Sequence, residues 1–252
     1  MLRALKERLG IQGHRTMAYP DGPVVLPERF RGYPALQRDL LCDLDGTACV
    51  AACPFGALSC SENGLALDMG KCLFCADCPA SSCVGFGNDH RMAVSRREEL
   101  LVQTNGEQKL AQPLSPDLRK LFGRSLKFRE VSAGGCNACE ADSNVLTTIG
   151  WDLGRFGIQF VASPRHADGI WVTGPVSENM REALLKTWEA IPAPKIVVAC
   201  GACAIAGGPF SGSPQISLGL DTLLPVDLYI PGCPPHPATI LDGLLRLQGR
   251  LT

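Results

Sequence analysis

The sequence predicts a chain of two unlike parts. The C-terminal half reads as α/β with a mostly parallel sheet. The N-terminal half reads as an α+β unit held together by cysteine ligands. Three observations carry this. After residue 126, short apolar runs rich in β-branched residues alternate with amphipathic helical stretches, the pattern of a parallel sheet covered on both faces. Before it, Gly, Pro and Cys are dense and periodic segments are short, as in domains whose folding depends on bound metal. The 13 cysteines of the 252-residue chain fall in two groups, from Cys42 to Cys83 and from Cys136 to Cys233.

Each element follows from its residues. Leu2, Leu5 and Leu9 share one face of a helix, with Arg3, Lys6, Glu7 and Arg8 elsewhere. Residues 1–30 are this helix and an arm, and residues 31–104 form the cysteine-rich domain. The loop signals Gln103-Thr-Asn-Gly106 and Gln112-Pro-Leu-Ser-Pro116 place a linker at 105–125. The last domain, 126–252, opens with a strand at Leu126-KFREVS. Further strands are expected at Gly157-IQFVAS, Gly169-IWVTGPV, Pro194-KIVVACG and Val226-DLYIPGC. Helices are expected from Glu178, through Met180, Leu184, Leu185, Trp188 and Ile191, and from Pro237. Ligands of such sheets sit beyond the carboxyl ends of the strands, and all five later cysteines lie just after expected strand ends.

Composition narrows the function. Lys plus Arg total 24 and Asp plus Glu 25, for a net charge of −1. A nucleic-acid partner is disfavoured, because phosphate binding needs a cationic face. No apolar run reaches the roughly 18–20 residues that cross a bilayer, and the N-terminus lacks the apolar stretch of a secretory signal. The expected location is cytoplasmic. In a reducing compartment, an odd and dense set of thiols reads as metal ligands rather than disulfides.

Two patterns stand in the N-terminal group: Cys42-x2-Asp45-x3-Cys49-x3-Cys53-Pro54 and Cys72-x2-Cys75-x2-Cys78-x4-Cys83. Both resemble the bacterial ferredoxin run C-x2-C-x2-C-x3-C-P, in which the fourth cysteine of each run ligates the other run's 4Fe–4S cluster. Two intervening residues let the backbone wrap one corner of the cube, and thiolates suit iron as soft anionic ligands. Crossing the ligands assigns Cys72, Cys75, Cys78 and Cys53 to one cluster and Cys42, Asp45, Cys49 and Cys83 to the other. Every departure from the pattern falls on the second of these sets. Its cluster is expected to be altered, with Asp45 as a carboxylate ligand, with three irons, or absent. Cys60 is a further candidate ligand, or a small buried residue.

The C-terminal group comprises Gly134-Gly-Cys136-Asn-Ala-Cys139-Glu140, Ala199-Cys-Gly-Ala-Cys203 and Ile230-Pro-Gly-Cys233-Pro-Pro. A C-x2-C pair plus two single cysteines after separate strands would hold one 4Fe–4S cluster. Cys203 and Cys233 read as the single ligands and Cys200 as the spare.

CNACE, SPRHADGIWVTGPV, GAC and PVDLYIPGCPPHP resemble the proximal-cluster subunit shared by group 4 NiFe hydrogenases and respiratory complex I. The resemblance covers about residues 124–247. It implies a flavodoxin-like parallel sheet and makes Cys136, Cys139, Cys203 and Cys233 the cluster ligands. In complex I subunits the first two cysteines are adjacent; here Asn137 and Ala138 separate them, as in the hydrogenase and formate hydrogenlyase branch. The N-terminal half, including Tyr19-Pro20 and Arg29-Phe-Arg-Gly-Tyr-Pro34, is similar to the two-cluster ferredoxin-like subunit of the same complexes. Two subunits that are usually separate look fused.

The resemblance implies an electron-transfer subunit of an oxidoreductase complex, with no active site of its own. Its partners would be a NiFe-type large subunit, an electron donor or acceptor subunit, and membrane subunits at the cytoplasmic face. The alternative is the same relay in a quinone-reducing or nickel-free relative. Cys200-Gly-Ala-Cys203 superficially resembles a nickel-holding C-G-x-C, but the preceding arginine and a later D-P-C-x2-C are missing. Glu140 and Asp142 could relay protons or simply open a helix. Arg165 and His166 could lie near the cluster or serve their loop. His236 reads as a surface residue.

Overall fold

The structure is a computed structural model. It describes residues 2–11, 15–36, 44–61, 64–75, 77–78, 84–104, 106–122 and 125–251.

The chain opens with helix α1, Leu2–Lys6, which widens into a π-helical turn over Glu7–Ile11. No residue of α1 is buried, and Leu2, Leu5 and Leu9 are all exposed. The arm, residues 15–31, then lies along the C-terminal domain. Tyr19 is buried there; its hydroxyl donates to Asp242 at 2.9 Å, and Arg155 donates to the carbonyls of Met17 and Tyr19.

The N-terminal domain is built from short pieces. Strand β1 (Pro34–Leu36) is followed by helix α2 (Leu44–Ala52), the hairpin β2 (Leu58–Ser61) and β3 (Gly64–Asp68), then β4 (Val84–Phe86) and β5 (Leu101–Gln103). β1 pairs antiparallel with β4, and β2-β3-β5 form a second antiparallel sheet. One small sheet therefore brackets the cysteine runs, and the hairpin lies between them. Arg97 clamps the end of β3 with two bonds to the Asp68 carboxylate, at 2.9 and 2.6 Å. Asp68 in turn accepts from the N–H of Gly70, just before Cys72.

The segment expected as a linker contains helix α3, Pro116–Phe122. It also packs against its neighbours: Ala111 is buried, and the Leu114 N–H donates to the Leu247 carbonyl.

The C-terminal domain has strands β6 (Leu126–Ser132), β7 (Ile158–Phe160), β8 (Gly169–Thr173), β9 (Ile196–Cys200) and β10 (Leu228–Ile230). Helix α4 (Ala138–Val145) follows β6, α5 (Glu178–Ala190) follows β8, α6 (Ala202–Ala206) follows β9, and α7 (Pro237–Leu247) follows β10. All strand pairings are parallel, in the order β10-β9-β8-β6-β7. Counted from β6, this is the flavodoxin-like order 2-1-3-4-5, with its switch point between β6 and β8. Strands buried on both faces explain the uninterrupted apolar runs of β8 and β9.

Alternation along β9 sends Ile196, Val198 and Cys200 to one face, packed with Ile240, Leu241 and Leu244 of α7. Val197 and Ala199 point to the other, which packs with Leu184 of α5, Ile205 of α6 and the hairpin residues Leu65 and Leu67. The core of the N-terminal domain is thus continuous with one face of the sheet. Val94 adds a backbone bridge, exchanging both hydrogen bonds with Tyr229 of β10.

Candidate metal centres

Cys53, Cys72, Cys75 and Cys78 line one small apolar cavity, with Phe55, Leu58, Leu67, Leu73 and Phe86. Helix α2 ends just before Cys53, and the β3 turn delivers Cys72. The backbone between the close cysteines is strained: Phe74 holds φ 54°, a left-handed value costly for a bulky residue. Arg31 secures that turn by donating to the Phe74 carbonyl at 2.7 Å. Two backbone donors aim at the sulfurs, Ala57 N–H at Cys53 Sγ and Phe74 N–H at Cys72 Sγ, each at 3.4 Å. Such donors orient and tune thiolate ligands.

Cys136, Cys139, Cys203 and Cys233 converge beyond the carboxyl ends of β6, β9 and β10. Burial and the electrostatic influence of Cys233, Cys139 and Cys136 push the Cys203 thiol up to about 12. Two glycines make room for the sulfurs. A Cβ at Gly201 would stand 2.6 Å from Cys139 Sγ, and one at Gly208 2.6 Å from Cys203 Sγ. Both glycines have positive φ, 90° and 57°, which glycine alone adopts cheaply. Cys136 and Cys233 are exposed, so this centre opens to the surface.

The two centres are neighbours. Cys75 is close enough to Cys233 to raise its pKa, after burial and the influence of Cys139 and Cys136. A cleft of ≈ 270 Å³ between them is lined by Leu73, Phe74, Cys233, His236, Arg29 and Arg31.

Both thiol sets fit iron–sulfur clusters in their chemistry. In the N-terminal set, burial and like-charged neighbours raise Cys72 to about 12 and also raise Cys78. Four thiolates share an apolar cavity only when a cationic centre takes up their charge. Among the described residues, no three His, Cys, Asp or Glu side chains are grouped to hold a single metal ion. The N-terminal set surrounds a space rather than a point. That suits the corners of a cube better than one zinc ion, which draws its sulfurs to about 2.3 Å.

The remaining set is only partly placed. Asp45 and Cys49 lie one turn apart in α2, and Cys49 is buried. Cys42 and Cys83 lie outside the described residues. Cys49 and Cys60 are each disulfide-bonded in this structure, which departs from the expectation of metal ligands rather than disulfides. Cys60 is exposed near the end of the hairpin strand β2, not buried as expected.

Several side residues fall differently from their sequence reading. Arg165 and His166 precede β8, at the amino edge of the sheet. In a parallel sheet that edge is opposite the thiols, so their place is in the loop; with Lys127 and Asp168 they line a separate surface cleft. Glu140 is buried in the first turn of α4 and accepts from Thr173 Oγ1 at 2.7 Å. His236 is half-buried: its Nδ1 accepts from the Ala238 N–H at 3.1 Å, capping α7, and its ring meets Phe30 and Trp151 edge-on. Sequence reasoning missed this cap, though a polar residue before Pro237 was its signal. Cys200 is fully buried beside Cys139, and that burial drives its thiol pKa well above the ordinary value.

Residues 136–247 match the family model described as NADH ubiquinone oxidoreductase, 20 Kd subunit. A probable membrane-bound hydrogenase subunit, mbhJ of Pyrococcus furiosus, is 42% identical over 147 residues, covering 58% of this chain and 88% of that protein. The chain belongs to the NADH ubiquinone oxidoreductase 20-kDa subunit family. Other relatives include formate hydrogenlyase subunit 7 of Escherichia coli, 42% identical over 55% of this chain and 54% of its own length. An NADH-quinone oxidoreductase subunit of Rubrobacter xylanophilus is 48% identical over 40% of each chain. The relatives of this family member are subunits of oxidoreductase complexes. No helix among its described residues is long and apolar enough to cross a membrane.

Proposed function

We propose that this chain is the electron-transfer subunit of a hydrogenase or formate hydrogenlyase-type complex. It would carry one 4Fe–4S cluster on Cys53, Cys72, Cys75 and Cys78 and another on Cys136, Cys139, Cys203 and Cys233. The observation that carries this reading is the convergence of Cys53, Cys72, Cys75 and Cys78 on one apolar cavity, whose Leu73-Phe74 turn lines the same cleft as Cys233. When bound, such clusters supply one-electron carriers whose potentials span about −700 to +450 mV.

The chain's own residues do the rest. Phe55, Leu58, Leu67 and Phe86 shield the cavity between Cys53, Cys72 and Cys78 from water, while Cys75 is exposed. Ala57 and Phe74 N–H groups hold two of its sulfurs in place. Arg31 fixes the Phe74 turn and leaves positive charge in the cleft between the sets, which favours a more reduced state. Cys136 is exposed and presents the C-terminal set to a partner surface. The proposed partner is a NiFe-type large subunit, which would do the bond chemistry; the Asn137-Ala138 spacer favours this branch over the quinone-reducing one. Cys42, Asp45, Cys49 and Cys83 would form an altered third position off this path, and the disulfide at Cys49 favours its absence.

The test is hydrogen-dependent reduction of the chain in its purified complex. Hydrogen should produce the electron paramagnetic resonance signals of reduced clusters in this chain, and C75S should abolish one of them. A nickel-loaded complex in which hydrogen leaves the chain oxidised would overturn the proposal.

A further inference from the structure

Cys200 has no part in either thiol set, yet its position is closely determined. It is the last residue of β9 and is 0% exposed. The alternation of the strand turns it to the α7 side of the sheet, together with Val198 and Ile230. Cys139, at the start of α4, packs onto that same cluster from above. The next residue fixes the approach, because a Cβ on Gly201 would already overlap Cys139 Sγ. Cys139 therefore rests on the 200–201 backbone, with Cys200 beneath it. The other polar groups around the Cys200 thiol are Ser143 and Glu130. Ser143 spends its hydroxyl proton on the Cys139 carbonyl, at 2.8 Å, which leaves its oxygen beside the Cys200 thiol as a neutral acceptor. Cys203, by contrast, lies in the first turn of α6, near Cys233, Cys139 and Cys136.

We infer that Cys200 is a positioning residue that donates its S–H to the sulfur of Cys139 and thereby raises the reduction potential of the C-terminal cluster. The inference rests on the cluster assignment above. A hydrogen bond to a ligand sulfur draws charge from it and stabilises the more negative, reduced state. A thiol buried in an apolar cluster keeps its proton, and an adjacent anionic sulfur is a stronger acceptor for it than a neutral hydroxyl. Removing the donor should lower the potential, and a hydroxyl in its place should hold it.

The experiment is a redox titration of the purified complex, followed by electron paramagnetic resonance, for wild type, C200A and C200S. C200A should shift one signal down by about tenfold in the reduced-to-oxidised ratio, which is 59 mV for one electron. C200S should lie near wild type. Infrared spectroscopy gives a readout that does not depend on C200A folding. The S–H band lost in C200S should move to lower frequency when the wild-type cluster is reduced, because its acceptor has become more negative. An unshifted potential in C200A, or an S–H band insensitive to reduction, would overturn the inference. So would loss of the cluster's iron in C200S, which would make Cys200 a ligand. A wild-type protein with no such signals would instead overturn the cluster assignment.

Discussion

Substituting Gly201 by alanine separates backbone strain from damage to the centre. Gly201 sits at φ 90°, ψ 157°, a region essentially reserved for glycine, and a side chain there costs about 1–3 kcal/mol. The added Cβ would also stand 2.6 Å from Cys139 Sγ, about 1 Å inside the 3.5–4.0 Å separation at which such atoms rest comfortably. Neither partner can yield easily. Cys139 is held in the first turn of α4, and the Gly201 N–H is bonded to the Ile230 carbonyl at 2.8 Å. The sulfur must therefore leave its place. A displaced ligand should weaken the centre by at least the 10–100-fold typical of disturbing its supporting contacts. Gly212 provides the control, with φ 92° and nothing within 4 Å of a Cβ. G201A and G212A should both lower the melting temperature, but only G201A should lose the signal of the C-terminal cluster in electron paramagnetic resonance. The N-terminal signal should survive in both. A G201A protein with its C-terminal signal intact would refute the placement of Cys139 over the end of β9.

Three further outcomes are expected. Y19F removes a 2.9 Å bond to Asp242, a carboxylate that is 0% exposed and otherwise held by Arg246 at 2.8 Å. It should cost about 1.5–3 kcal/mol in denaturant unfolding, and a loss below 0.5 kcal/mol (roughly the floor for a neutral bond) would speak against the arm as an anchor. Burial and then Glu140 raise the Glu130 carboxyl from 4.5 to about 7, so the folded state binds this proton more tightly than the unfolded chain. Its contribution to stability is present below about pH 4.5 and is lost as pH rises through about 7; E130Q should flatten the melting-temperature profile in that window, and an unchanged slope would sink the assignment. Lastly, C42S should leave electron transfer through the other two centres intact, and a large fall in hydrogen-dependent reduction would put the altered site on the path.

The sheet was legible because its strands are long enough to show their chemistry. Leu126–Ser132, Gly169–Thr173 and Ile196–Cys200 each carry several residues that must be buried on both faces. Thiol spacing was equally informative, since three ligands within seven residues leave few alternatives. The N-terminal strands were not legible. Pro34–Leu36 and Val84–Phe86 have three residues each, too few to show a period of two, and they pair across about fifty residues. The bonds joining the halves were hidden for a related reason. Tyr19 meets Asp242 across 223 positions, and Val94 bridges Tyr229; no local pattern announces such contacts. For Arg165 and His166 the sequence left two roles open, near the cluster or in their loop. Their segment is distinctive in sequence, but its position before β8 puts it at the edge away from the thiols.

What the two thiol sets hold decides whether this chain carries electrons. Iron, acid-labile sulfide and zinc should be measured per chain on protein purified without oxygen. Two full clusters predict at least about eight irons with an equal amount of sulfide, since each cube contains four of each. Zinc bound without labile sulfide would contradict the electron-transfer reading outright.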